Sequence, residues 1–396
     1  MANSLTALNK AIWAKKMQIV RYKELVAMAI TNNELRDSLK DGDTAHRPYR
    51  SPISGQTYTK GTDVSLQDVS ATDETLVVNT AKVAPFYVDS VDEIQNSFDT
   101  EMDFRDDAMQ ALNQIVDADI LAEYANATTD MYAATIGEVG ATTPISVRTD
   151  NINKIFSKAN TILTNKNVKL GKRFIVISPT MLETLQLYLS NKDTQFGDEV
   201  GNNGFVGKRF GFKIFLSTNL TSQAVWTPAN NPSDAQTIGI NGRTITFKTT
   251  LSGAEDEVKI GAATANTIDN LVDYLNGVAA GANWSAQSAA TKAAFNGGMT
   301  ATDGTTYLSI VFKGAGEMAL ATSDTADPWS STIMHALAGE LGAIDLVMQR
   351  FPQVEFRKPQ LKLGLNVLPW MLYGKKTFNN QKDALIDINI DLSTLA

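Results

Sequence analysis

The sequence predicts an α+β chain assembled from several dissimilar parts, and three stretches carry that prediction. Near the C-terminus Ile386, Ile388, Ile390 and Leu392 alternate with Asp387, Asn389 and Asp391. That is the period-2 pattern of a strand with one face buried and one wet. In the middle, "RFIVISPTMLETLQLYLS" reads as strand, turn and helix. Residues 174–177 are continuously apolar, Ser178 is a good N-cap, and Pro179 suits the first helical position. Earlier, Ile94, Phe98, Met102, Met109, Leu112, Val116, Ile120 and Tyr124 step by three, four or seven. They predict one buried stripe on a helix of roughly nine turns.

The other elements follow in chain order. Leu5, Leu8, Ile12, Val20, Leu25, Ala29 and Leu35 keep helical spacing, and no Pro or Gly precedes Gly42, so residues 5–39 read as helix. "KDGDTAHRPYRSPISGQ" then breaks the pattern with the Gly and Pro of an arm or loop. "QTYTK" and "ETLVVNTAKVAPFYV" read as two strands of a long ribbon joined by a polar connector. Such a ribbon is only marginally stable alone and needs a partner surface. "NINKIFSKANTIL" predicts an amphipathic helix through Ile152, Ile155, Phe156, Ala159 and Ile162, and 212–216 predicts a strand after a Gly-bearing turn.

Residues 234–324 read as a separate small unit rich in Ala, Gly, Thr and Asn, inserted in a loop of the larger fold. Asn241-Gly242 marks a type I′ hairpin, Ile268, Leu271, Val272 and Leu275 mark a helix, and "TTYLSIVFKG" a further strand. "STIMHALAGELGAIDLVMQ" reads as helix with soft spots at Gly339 and Gly342. Leu361, Leu363 and Leu365 alternate as in a strand.

Composition removes whole classes of chemistry. The chain has 396 residues, 43% of them hydrophobic and 20% charged, with a net charge of −8. It has no cysteine, so disulfides, thiolate metal sites and cysteine nucleophiles are excluded together. The two histidines, His46 and His335, lie in no metal or catalytic motif and read as structural. No window approaches a membrane span, and lysines interrupt the apolar stretch of the N-terminus, which predicts a product made in the cytosol. An acidic chain is a poor nucleic-acid reader, because Lys and Arg drive that affinity by counterion release. Lys10, Lys15, Lys16, Arg21 and Lys23 make the first turns basic and read as a solvated face or a subunit contact.

Taken together, the order of parts resembles the major capsid proteins of tailed bacteriophages, with the Hong Kong 97-type fold. "VGKRFGFKIFLSTNL" is similar to the family's Gly-turn leading into a strand that ends Ser-x-Asn-Leu, and "RFIVISPTMLETL" to its strand, Ser-Pro, helix element. The resemblance implies an N-terminal arm (1–50), an E-loop (51–85), a P-domain (86–130 and 345–396), an A-domain (131–233 and 325–344) and an insertion domain (234–324). It implies a head shell of hexamers and pentamers around double-stranded DNA. Portal and scaffolding proteins, decoration or minor capsid proteins and non-specific contact with DNA are the implied partners. The implied place is the virion, after assembly in the host cytoplasm, with no membrane. Some family members crosslink a Lys–Asn pair, but Lys60, Asn366, Asn379 and Asn380 lie in no local signal for it.

Two other classes compete: an encapsulin-like nanocompartment shell, and a carbohydrate-active enzyme built on the acidic helix and the tryptophans. Asp99, Glu101, Asp103, Asp106, Asp107, Asp117, Asp119 and Glu123 face a single Arg105 in that segment. A glycosidase needs two carboxylates facing each other across a cleft, one with its pKa raised by burial. "DFRDDAM" lacks the turn Gly and carbonyls of a calcium loop. Trp13, Trp226, Trp284, Trp329 and Trp370 are scattered, and "GNNGFVGKRFG" lacks the end of a phosphate loop and reads as a mobile surface loop. The acids therefore read as a solvated face that keeps the helix soluble and repels phosphate. No catalytic, cofactor or metal residue is assigned, no cofactor is expected, and the chain reads as a non-enzyme.

Overall fold

A twelve-residue strand, Trp329–Glu340, is the centre of the fold. The computed structural model describes residues 21–39, 42–91, 100–190, 205–295, 298–360 and 362–394. In chain order the elements begin with α1 (Ala27–Ile30), β1 (Thr31–Asn32), β2 (Thr44–His46), β3 (Tyr49–Arg50), β4 (Ala71–Thr72), β5 (Thr75–Val77), β6 (Thr80–Val83) and β7 (Phe86–Val88). Then come α2 (Thr100–Leu121), β8 (Thr129–Met131), α3 (Ile152–Asn165), β9 (Arg173–Ile177), α4 (Pro179–Ser190), β10 (Phe205–Arg209), β11 (Phe212–Leu216) and β12 (Thr221–Trp226). The next group is β13 (Thr237–Ile240), β14 (Arg243–Lys248), β15 (Glu257–Lys259), α5 (Thr264–Leu275), α6 (Ala289–Phe295), β16 (Met299–Asp303), β17 (Leu308–Phe312) and β18 (Leu320–Thr322). β19 (Trp329–Glu340), β20 (Ile344–Arg357), β21 (Leu365–Lys376), α7 (Asn379–Lys382) and β22 (Leu385–Asp391) complete the chain.

The chain divides into two compact units, the larger holding Lys23–Val78, Gln114–Gln349 and Gly374–Ala396. Its main sheet runs β10-β11-β9-β19-β12-β17-β16, with β22 on β19 and β8 on β22. β19 has both edges filled: β22 pairs along 333–339, while β12 and then β9 share the other edge. Residues 334–339 are all buried. This overturns the helix expected across "STIMHALAGELGAIDLVMQ". A strand buried on both faces loses the alternation that would mark it, and its short apolar run imitates a helix. Gly339 is no soft spot: a Cβ there would sit 2.5 Å from the Ala384 carbonyl. Gly342, at φ 85°, makes the turn into β20.

β22 corrects a second expectation. Its alternating pattern predicts one wet face, yet residues 385–390 are all buried. The short helical turn Ala122–Asn126 supplies Tyr124, which stacks on His335 of the neighbouring strand, so polar Asp387 and Asn389 lie under cover.

β9 is buried throughout and pairs in parallel with β11, as the continuous apolar run predicts. Ser178 Oγ accepts the Met181 N–H at 3.3 Å at the start of α4. On α3, Ile152, Ile155, Phe156, Ala159 and Leu163 are buried. β13 and β14 form the predicted hairpin, with Asn241 and Gly242 at φ 50° and 75°, as a type I′ turn requires. They lie in a four-stranded sheet ordered β15-β14-β13-β18. The strand within "TTYLSIVFKG" goes elsewhere: β17 joins β12 in the main sheet, with β16 beside it. β12 carries buried Ala224 and Trp226, and its second edge needs a partner.

The N-terminal helix expected over 5–39 does not continue through the described residues from 21 onward. α1 has four residues, and β1 and a tight turn, Glu34–Leu39, follow it. The Asn32 side chain accepts the Glu34 N–H at 3.2 Å, the local bonding by which Asn competes with helix. The rest of that helix, and Ile94 and Phe98 of the long one, lie outside the described residues. The described part of the long helix has 22 residues.

The smaller unit contains Asn79–Asn113 and Arg350–Tyr373. β6 and β7 pair antiparallel with β21, and β20 borders β21 on its other side. Phe86 meets Phe104 of α2 at 6.2 Å. β21 begins later than the leucine alternation predicts: Leu363 is 74% exposed, and Gly364 at φ 141° makes a turn where a Cβ would meet the Val88 carbonyl at 2.3 Å.

Candidate assembly surfaces

The loop between β3 and β4 is the most exposed apolar segment described. Its root is fixed in several ways. β2 pairs with β5, and β3 with β4. Arg47 binds the fully buried Asp345 at 2.9 Å and lies over the Phe378 ring at 5.3 Å. Burial pushes the Asp345 carboxyl up, and Arg47 and Asn32 pull it back. His46 contacts Asp73 at 2.7 Å, both exposed.

Beyond the root no β-ladder forms, so "QTYTK" is not a strand. Side chains tie the two arms instead: Gln67 Nε2 donates to the Ser54 carbonyl at 2.7 Å, and Ser65 Oγ to Gln56 at 3.1 Å. A turn at Thr59–Thr62 holds Lys60 at the tip, with Gly61 at φ 87°. Ile53 (71%), Tyr58 (66%), Val64 (60%), Leu66 (95%) and Val69 (69%) face solvent. Alternation marks the segment as extended. The missing ladder has a plain cause, since two strands with nothing beneath them gain too little burial to order the backbone.

The acids of α2 do not form one wet face. Asp106 is 70% exposed beside Arg105, but Asp117 is 1% exposed. Asp117 Oδ1 accepts the Val26 and Ala27 N–H groups at 2.8 and 2.7 Å, and Oδ2 accepts Asn219 Nδ2 at 3.0 Å. Lys23 closes this knot by donating to the Gly314 carbonyl and to Asn219 Oδ1. Burial pushes the Asp117 carboxyl up, against those hydrogen bonds and the Lys23 charge, and burial also lowers Lys23. Asp119 pairs with Lys313 at 2.9 Å. Glu123 binds Lys375 at 2.9 Å and accepts the Thr377 hydroxyl at 2.7 Å. From Asp117 onward the carboxylates fasten the helix end and the segment entering α1. The solvated-face reading fails there because helical periodicity cannot see what a distant segment lays over a helix. Asp99 lies outside the described residues, and the side chains of Glu101 and Asp103 are not described.

His335 is sealed in the core. Its Nδ1 lies 2.8 Å from Asp387 Oδ2, and its ring stacks on Tyr124 at 3.8 Å and 7°. Burial, with the Asp387 charge added, pushes the Tyr124 hydroxyl up to about 12. Burial raises the Asp387 carboxyl, and His335 offsets part of this. Across the strand lies Thr221, also fully buried. Hydroxyl, imidazole and carboxylate are thus buried neighbours, which suits a core cluster. Trp226 stacks on Phe247 inside the fold. Lys60 sits on the exposed loop, Asn366 on β21, and Asn379 and Asn380 on α7. The Gly-rich stretch is described only from Phe205, where Phe210 and Gly211 turn β10 into β11. Among the described residues, no three His, Asp or Glu side chains are grouped to hold a metal ion, and no helix is long and apolar enough to cross a membrane.

No family model matches the sequence, and no curated protein does. Solved structures do. A chain of Mycobacterium phage Che8 aligns with TM-score 0.57 and 15% identity, covering 98% of both chains. The capsid structure of cyanophage P-SCSP1u gives TM-score 0.54 and 14% identity over 98% of this chain and 94% of that one. The head structure of Helicobacter pylori bacteriophage KHP40 gives 0.52 and 10% over 98% of each. The chain has the fold of these phage chains, the Hong Kong 97-type fold.

Proposed function

We propose that this chain is the major capsid protein of a tailed phage, self-assembling into the icosahedral head shell that encloses double-stranded DNA. The observation that carries this reading is the loop 51–70. It presents five apolar side chains, each at least 60% exposed, from a clamped root in a chain with a capsid fold. A second copy laid over them would remove that surface from water, at about 25 cal/mol per Å².

In this reading the arm is 1–50, the E-loop 51–85, the P-domain 86–130 and 345–396, and the A-domain 131–233 and 325–344. Within the insertion, 234–324, β16 and β17 return to the main sheet, while the small sheet and its helix project outward and keep particles apart through their acidic surface. Copies meet as hexamers and pentamers. Portal, scaffolding and decoration or minor capsid proteins complete the particle, which assembles in the host cytoplasm. The chain's role is structural, not enzymatic, and its contact with DNA is non-specific.

The test is a deletion of residues 54–68, replaced by a short Gly/Ser turn. This spares β4 and β5, which carry buried Leu76. The variant is expected to fold with the wild-type circular dichroism and melting profile and to sediment as small species. Shells of normal size from the deleted chain would defeat the reading.

A further inference from the structure

Helix α3 turns a polar stripe to water. Lys154, Ser157, Lys158 and Thr161 are all exposed, at spacing i, i+3, i+4, i+7, opposite the buried stripe. Facing them is the helical turn Ala133–Ile136, closed by Gly137 at φ 86°. Between turn and helix lies a groove of about 550 Å³, lined by those four residues with Thr135 and Gly137 among others.

The groove has no counter-charge of its own. Residues 151–182 contain five lysines, one arginine and no acid. Glu138, the acid next to the turn, is held by Arg148 at 2.8 Å and Asn151 at 3.0 Å. Lys166 is paired with Asp383 at 2.6 Å, whereas Lys154 and Lys158 are in no ion pair among the described residues. Two ammonium groups at i and i+4 repel each other and weaken the helix that carries them. That repulsion is relieved when an anion from elsewhere sits between them.

We propose that this groove receives a carboxylate-bearing segment of a second copy of the chain. The inference rests on the capsid reading. Each copy carries a net charge of −8, so packed copies repel unless cationic patches on one meet carboxylates on the next. Exposed Asp63 and Asp68 are available on every copy. A concave space of this size admits an extended chain segment and its side chains, while a DNA duplex, convex and much wider, cannot enter it. Thr135, Ser157 and Thr161 add hydroxyls that suit a peptide.

The test compares three full-length chains: wild type, Lys154→Glu/Lys158→Glu, and Lys154→Arg/Lys158→Arg. The readout is the protein concentration at which half the material is assembled, by light scattering, at low and high salt. Charge reversal is expected to raise that concentration by roughly tenfold or more, since like charges facing each other across a contact oppose binding. The arginine variant is expected to match wild type, and the wild-type advantage is expected to shrink at high salt. Melting profiles check folding. If the reversed chain fails to fold, Lys154→Gln/Lys158→Gln is read in the same assay, with a smaller shift of the same sign expected. Reversed or glutamine chains that fold and assemble like wild type overturn the proposal. So does reversal that leaves assembly intact but abolishes retardation of duplex DNA in a gel, which would make the occupant nucleic acid. Wild type that never assembles would instead defeat the capsid reading.

Discussion

Asp117 shares the Asn219 amide with the Gln114 carbonyl, and it alone accepts two backbone N–H groups, those of Val26 and Ala27. Asp117→Ala strands them together with half-buried Lys23, so a loss of roughly 3 kcal/mol is expected in chemical denaturation. Asp256 makes a pH-dependent contribution. Burial works to raise its carboxyl, but bonds from Tyr274, Ser288 and Thr291 outweigh it and hold the group below its ordinary value of 3.8. A depressed carboxyl stabilises the fold fully above that ordinary value, and the contribution disappears as pH falls through the lowered one. Asp256→Asn should therefore reduce the acid-side slope of stability against pH, measured by melting from neutral pH to below pH 3.8. An unchanged slope would remove Asp256 from the account. Neither role is legible in the sequence. Asp117 follows Val116 on the helix like any wet acid, and Asp256 stands in an ordinary polar turn; the partners of both are 18 residues or more away.

Elements were legible where local pattern and tertiary setting agree. α3, β9 with α4, the β13–β14 hairpin and α5 each carry their own period, cap or turn pair, so a single stretch suffices to place them. Elements whose setting is made by other strands misled. β19 and β22 are covered on both faces, which erases alternation in one and makes it uninformative in the other. β17 reads in sequence as part of the small unit and pairs instead with β12. The loop 51–70 shows the converse: its alternation is legible, but the partner that would use it is not in the chain. Gly339 tests the element account directly. A Cβ there would clash with the Ala384 carbonyl, so Gly339→Val should cost several kcal/mol or prevent folding, seen as a fall in melting temperature far exceeding that of Gly55→Val, where nothing lies within 4 Å. Equal effects at the two sites would contradict the packing described for β19.

For the whole molecule, one sheet centred on β19 gathers strands of the larger unit, smaller sheets take up others, and the loop 51–70 keeps apolar side chains that nothing among the described residues covers. Such a chain is explained best as one piece of a closed surface, where neighbours supply the missing cover and each interface repeats by symmetry. Length, charge and the absence of cysteine narrowed the reading from sequence, and the order of parts suggested the fold. Shell geometry depends on contacts between copies, which no single-chain pattern encodes. The measurement that tests the central claim most directly is negative-stain electron microscopy of the purified wild-type chain. Closed shells of uniform diameter with pentameric and hexameric units are the expected result. A field of dispersed single chains, unchanged as concentration is raised, would contradict it.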